Sequence, residues 1–202
     1  MEQIRSFIAI ELPDELRLAL RRLQSQLRTG SHASVKWVDP YGIHLTLKFL
    51  GSIGTDMVGR ITAALEEAVR GIPPFHLEIS GLGAFPGLKR VQVVWVGVTG
   101  EVGRLSQLQQ AIESSLKPLG FAPESRPFTP HLTLARLRDR ATPGERQSLG
   151  QLIADTRFEI TYRLAVDAIH LMKSQLTRDG AVYSQISKIE LKEPRPLSKA
   201  NI

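Results

Sequence analysis

No cysteine occurs among the 202 residues. That excludes a disulfide framework and any zinc site held by thiolates. No run approaches the about 20 apolar residues that a membrane-spanning helix needs. The apolar run near the start, Ser6 to Ile10, is too short for a signal-peptide core and lacks a cleavage pattern, so a cytoplasmic, membrane-free protein is expected. The phosphate-cradling pattern G-x-x-x-x-G-K-[ST] and the Gly-rich dinucleotide fingerprint are missing too, so no nucleotide cofactor is expected. There is no G-x-S-x-G for a serine hydrolase. Acidic residues are outnumbered, 20 against 26 basic, leaving a net charge of +6. Such an excess favours a polyanionic partner through long-range attraction and counterion release, although solubility alone can account for it.

Helical and strand patterns alternate along the chain. Arg5 to Leu12 reads as a strand, and Pro13 then opens a helix striped with Leu16, Leu18, Leu20, Leu23 and Leu27. Val35 to Val38 and Ile43 to Leu50 read as extended, with Gly51 expected to stop the second. A helix follows over Thr55 to Val69, then strands at Phe75 to Leu82 and Val91 to Val98. A third helix spans Glu101 to Leu116, and a strand follows Pro130. Thr142-Pro143 opens a fourth helix, and strands are expected at Phe158 to Arg163, Ala165 to Lys173 and Ala181 to Ile189. Asp179-Gly180 signals a hairpin. Residues 1–192 are expected to form one bilobal domain, and 193–202, with two prolines and several polar residues, a flexible tail. A monomer is the expectation.

The most specific feature is a tetrapeptide that occurs twice, His44-Leu45-Thr46-Leu47 and His131-Leu132-Thr133-Leu134, with the histidines 87 positions apart. In an extended strand side chains i and i+2 share a face, so each His points with its Thr and away from the two Leu. A pair of such strands would present two imidazoles and two hydroxyls to one cleft, each set on its own half of a duplicated α/β body. Imidazole titrates at about 6.5 and can be present as acid or base near neutrality. Two of them supply proton transfer in both directions, as cleavage of a phosphodiester requires. The residues themselves do not say which His is acid and which is base. Thr46 and Thr133, with χ1 restricted by branching, are candidates to donate hydrogen bonds to phosphate oxygens. Two histidines are too few for most zinc sites, and no carboxylate stands at a short fixed spacing from either motif, so no metal is expected.

Flanking residues extend the candidate site. Lys48 continues the face of His44 and Thr46 and could add positive charge near a phosphate. Arg136 carries a guanidinium suited to phosphate and to stacking on a base. Strict alternation puts it on the Leu face, so it reaches the cleft only if the strand ends, bulges or twists. Trp37, Phe49 and Phe128 are the aromatics near the motifs and candidates to stack a nucleobase, but alternation sets Phe49 beside Leu45 and Leu47, where a core role is expected. His32, His76 and His170 lack the motif context and are assigned no role.

The motifs and their flanks resemble the 2H phosphoesterase superfamily. The segments from Arg5 to Pro13, Trp37-Val38, His44 to Gly51 and Pro130 to Arg136 narrow the resemblance to its RNA 2′,3′-cyclic phosphodiesterases, the bacterial and archaeal 2′-5′ RNA ligase family. Ser174, Gly180 and Tyr183 fit as well. The resemblance implies an α+β fold, two pseudo-symmetric lobes with antiparallel sheets flanked by helices around a central cleft. It implies metal-independent opening of an RNA-terminal 2′,3′-cyclic phosphate to a 2′-phosphomonoester, together with reversible 2′-5′ RNA ligation. It assigns His44 as proton donor, His131 as acceptor, Thr46 and Thr133 to the phosphate, and Arg136 to the phosphate or base. RNA ending in a cyclic phosphate is the implied partner, with tRNA fragments, splicing intermediates and small cyclic nucleotides all compatible. The competing reading is a non-catalytic RNA- or nucleotide-binding module of the same fold.

Overall fold

In the computed structural model, which describes residues 2–31, 33–158, 161–177 and 180–192, the strand β1 (Gln3–Ile10) is buried on both faces. Its Ile4, Ile8 and Ile10 enter the main core, whereas Phe7 and Ala9 pack with Met172 and Tyr183 in a separate small cluster. This two-sided burial is why the sequence shows a continuous apolar run there rather than an alternation. The chain continues through α1 (Asp14–Thr29), β2 (Val35–Trp37), β3 (Leu45–Gly54), α2 (Val58–Ala68), β4 (Phe75–Phe85), β5 (Val93–Gly100) and α3 (Val102–Leu116). It ends with β6 (His131–Leu137), α4 (Pro143–Asp155), β7 (Tyr162–Val166), β8 (Ala168–Leu176) and β9 (Ala181–Glu190).

Two antiparallel sheets result, one in the order β3-β1-β8-β9 and the other β2-β6-β5-β4-β7. The expected α+β class holds, with a different division of the chain. The lobes are not the two sequence halves. β4 and β5 join the second sheet, and the β8–β9 hairpin returns to cover the edge of β1 that β3 leaves open. A buried strand edge needs partners for its N–H and C=O groups, and no pattern within β1 says which distant segment supplies them. The two motif segments therefore lie on different sheets rather than as neighbours within one.

The helices form where their stripes predict. α1 buries Leu16, Leu20, Leu23 and Leu27, each contributing roughly 1.5–3 kcal/mol as an upper bound, whereas Leu18, two positions from Leu16 and so off the buried face of a 3.6-residue turn, is exposed. α4 opens with a reciprocal capping box, Thr142 accepting from the Glu145 N–H and Glu145 from the Thr142 N–H. One continuous hydrophobic cluster includes residues from both sheets and all four helices, fixing the sheets relative to each other.

Several boundaries differ from expectation. β3 runs through Gly51 to Gly54 instead of stopping, because Gly51 takes φ 73°, which a residue without Cβ adopts at no steric cost. The break between β7 and β8 falls at Asp167 rather than Leu164. His32, Asp179 of the hairpin signal, and the tail 193–202 lie outside the described residues.

Candidate active site

His44 immediately precedes β3 and His131 opens β6, and both line one cavity of about 350 Å3 together with Thr46 and Thr133. Each imidazole is held in the same way. His44 Nδ1 is 2.8 Å from the carbonyl oxygen of Gly42, and His131 Nδ1 is 2.7 Å from that of Thr129. A carbonyl oxygen only accepts, so in both rings Nδ1 carries the hydrogen and donates it. Nε2 remains in both rings for chemistry.

The rings are also packed. Phe7 stacks on His44 at 4.5 Å between centroids, and Tyr183 meets it edge-on at 5.1 Å. Phe85 meets His131 edge-on at 4.9 Å. Burial lowers the pKa of His44 below its ordinary 6.5, and the Gly42 carbonyl and the charge of Glu11 oppose that shift in part. Burial likewise raises the pKa of the Tyr183 phenol, against the opposing charges of Arg136 and Arg5.

Both motif strands bulge directly after the tetrapeptide begins to repeat its alternation. β1 pairs Ile8 with Lys48 but Ala9 with Thr46, leaving Leu47 as an extra residue on β3. β5 pairs Val94 with Ala135 but Trp95 with Thr133, leaving Leu134 extra on β6. A one-residue bulge exchanges the faces of everything beyond it. Two adjacent residues, Leu47-Lys48 and Leu134-Ala135, therefore turn inward. The fifth residue after each His, Phe49 in one strand and Arg136 in the other, then lines the cleft.

Two expectations are corrected by this geometry. Lys48 does not join the face of His44 and Thr46. It is buried, with Nζ 2.6 Å from a Glu113 carboxylate oxygen and 2.9 Å from the Ala122 carbonyl. Phe49 is not a core residue but 59% exposed at the cleft. Arg136 reaches the cleft by the bulge that strict alternation could not foresee. Trp37 lines an adjoining groove of about 320 Å3 rather than the histidine cavity, with the Arg28 guanidinium 5.2 Å from its ring centre.

Arg5, Phe7 and Phe85 escaped the sequence reading as site residues, and Tyr183 entered it only through the resemblance. Arg5 and Phe7 sit in a run whose period was unreadable, and Phe85 and Tyr183 come from strands far from either motif. Among the described residues no group of three or more His, Asp or Glu side chains is placed to hold a metal ion, and no helix is long and apolar enough to cross a membrane.

The family model of the 2′-5′ RNA ligase superfamily matches residues 12–178. An RNA 2′,3′-cyclic phosphodiesterase of Methanothermobacter thermautotrophicus is 33% identical, over 94% of this chain and 100% of its own. One from Aeropyrum pernix is 34% identical, over 85% of this chain and 94% of its own. Among solved structures, E. coli LigT complexed with 3′-AMP superposes with a TM-score of 0.76 at 25% identity, covering 95% of this chain and 100% of LigT. The family model's match over most of the chain, relatives at 33% and 34% identity over nearly all of it, and the shared architecture place the chain in the 2′-5′ RNA ligase superfamily.

Proposed function

We propose that this protein is an RNA 2′,3′-cyclic phosphodiesterase that opens the terminal cyclic phosphate to a 2′-phosphomonoester by acid–base catalysis between His44 and His131. The observation that carries the reading is the matched pair of imidazoles in one cleft, each locked through Nδ1 with Nε2 free. Relatives bearing that activity in their names, at 33% and 34% identity, support it.

In the reaction a water oxygen attacks phosphorus while His131 Nε2 takes the water proton. The P–O3′ bond breaks, its electron pair goes to O3′, and His44 Nε2 delivers a proton there. The product carries a 2′-phosphate and a 3′-hydroxyl. Burial weakens the hold of His44 on its proton, which suits a donor once the substrate phosphate has charged it. Thr46 and Thr133 donate to the non-bridging oxygens as negative charge grows on them. Arg136 and Phe49, at equivalent positions after the two bulges, hold the terminal nucleotide from opposite strands by charge and by stacking. A 5′-hydroxyl in place of water makes a 2′-5′ linkage by the same two transfers. Neither step calls for a metal. RNA fragments with cyclic ends, such as tRNA halves, are the expected substrates of a monomeric, cytoplasmic enzyme built as one domain over residues 1–192.

The test is incubation with a short RNA ending in a 2′,3′-cyclic phosphate under excess chelator, for wild type, His44→Ala and His131→Ala, with identification of the terminal group. A 2′-phosphate from wild type alone supports the reading. Binding without conversion by wild type sinks it in favour of a binding module.

A further inference from the structure

The catalytic cavity does not end at the terminal nucleotide. It adjoins the groove lined by Trp37, sharing Val38, Gly42, Arg136, Ala181 and Tyr183 with it. That groove in turn meets a shallow depression of about 410 Å3 through Lys36 and Arg136. Arg136 lines all three. The outermost depression adds Arg138 and Arg140, with Asp139 the acidic residue among them.

The path also carries Asp39 and Asp139, but one juxtaposition of its cations is not arranged for stability. Lys36 and Arg136 stand directly opposite each other in the β2–β6 ladder, so their side chains share a face. Like charges directly opposite across a strand pair are destabilising. Among the described residues neither cation is in an ion pair, nor is Arg138 or Arg140, whose Nε is instead hydrogen-bonded to the Ser34 hydroxyl. Lys36, Arg136 and Arg138 are exposed. A juxtaposition that costs the free protein stability is relieved when an anion lies between the cations, and the row continues away from the catalytic cavity for more than one phosphate.

We infer that, in the RNA substrate, the strand 5′ of the cyclic phosphate leaves the cleft through this adjoining groove and lays its phosphates along Lys36, Arg136 and Arg138. This rests on the phosphodiesterase reading and names the residues that hold the rest of the RNA at that same site.

The experiment compares 2′,3′-cyclic AMP with a ten-nucleotide single-stranded RNA ending in a 2′,3′-cyclic phosphate, on wild type and on Lys36→Ser/Arg138→Ser. Wild type is expected to show a KM at least about tenfold lower for the RNA, with a steep salt dependence. The double variant is expected to lose that advantage and to flatten the log KM against log salt slope by about 0.7 for each cation removed. Its turnover of cyclic AMP should match wild type, which also shows that the variant is folded. Arg138→Glu alone gives a second check and should raise the KM for RNA only. Equal KM for the two substrates in wild type, or an unchanged RNA KM in the variants, overturns the inference while leaving the activity standing. No turnover of either substrate by wild type overturns the phosphodiesterase reading instead.

Discussion

His44 and His131 are held by the same hydrogen bond, from Nδ1 to the carbonyl two residues upstream, at 2.8 and 2.7 Å. Each ring is thus fixed in one tautomer by its own approach segment, before any other part of the fold is considered. Either imidazole could serve as acid or base on this geometry. The two sites differ in packing, with Phe7 and Tyr183 around His44 and, among the described residues, Phe85 beside His131.

Replacing either histidine by alanine removes one of the two proton transfers. Each single variant should lose about 10²-fold or more in kcat on a cyclic-phosphate RNA, with KM little changed. Because the two act in one step, the double variant should be far less impaired than the product of the single losses. Steady-state kinetics of the three variants checks this, and a KM effect dominating in either single variant would contradict the assigned roles.

Burial lowers the pKa of His44 in the free protein, and a bound phosphate supplies the opposite charge that raises it. An NMR titration of the His44 ring should therefore give a midpoint below 6.5 in the free protein. With inorganic phosphate or 2′-AMP in the cleft the midpoint should move upward. A midpoint at or above 6.5 without ligand would remove the argument for His44 as a weakly held donor.

The same shift affects stability. His44 and His170 both have folded-state pKa values below the unfolded value of 6.5, through burial first in each case. Between the lowered and the unfolded values the unfolded chain binds more protons, so stability rises with pH there. It should be fully present above about pH 7 and fall as pH drops through 6.5. Urea midpoints between pH 8 and 5 measure this, and His170→Gln should show a shallower fall. Parallel curves for wild type and variant would show that His170 takes no part.

The buried Lys48–Glu113 pair separates a structural from a catalytic role for Lys48. Truncation to Lys48→Ala leaves Glu113 as an uncompensated carboxylate and should cost about 3–5 kcal/mol of stability. Well below its melting temperature the variant should keep a kcat/KM within about threefold of wild type. A loss comparable to that of His44→Ala in a folded sample would return Lys48 to the site.

Lys48 also marks where the sequence stops being legible. The helices, most strand positions and the two His-x-Thr pairs follow from periodicity, because each is set by residues within a few positions of one another. The faces of Lys48, Phe49 and Arg136 do not, because a period of two holds only until an extra residue enters the strand, and neither bulge carries a glycine at the inserted Leu47 or Leu134 to announce it. The pairing of β1 with β8 was hidden for another reason, since contacts across about 160 positions leave no local pattern.

The β6 bulge is itself held in place, by Gln24. This α1 side chain is buried, and its amide nitrogen donates to the carbonyls of Leu134 at 2.9 Å and Val38 at 2.8 Å. The Leu134 carbonyl also accepts from the Val38 N–H. The bulged residue is thereby tied to α1 and to the chain after β2, and the turn that brings Arg136 to the cleft depends on it. On the proposed role of Arg136, Gln24 is expected to act as a positioning residue through it. Gln24→Leu removes two buried hydrogen bonds and should cost about 1–3 kcal/mol. Its KM for cyclic-phosphate RNA should rise, with kcat largely retained, as in Arg136→Ala. The deciding measurement is the double variant. If Gln24 works through Arg136, adding Gln24→Leu to Arg136→Ala leaves KM where Arg136→Ala alone put it. If the two effects on KM multiply, Gln24 affects binding by a route other than Arg136, and an unchanged KM in Gln24→Leu itself would leave it a role in stability alone.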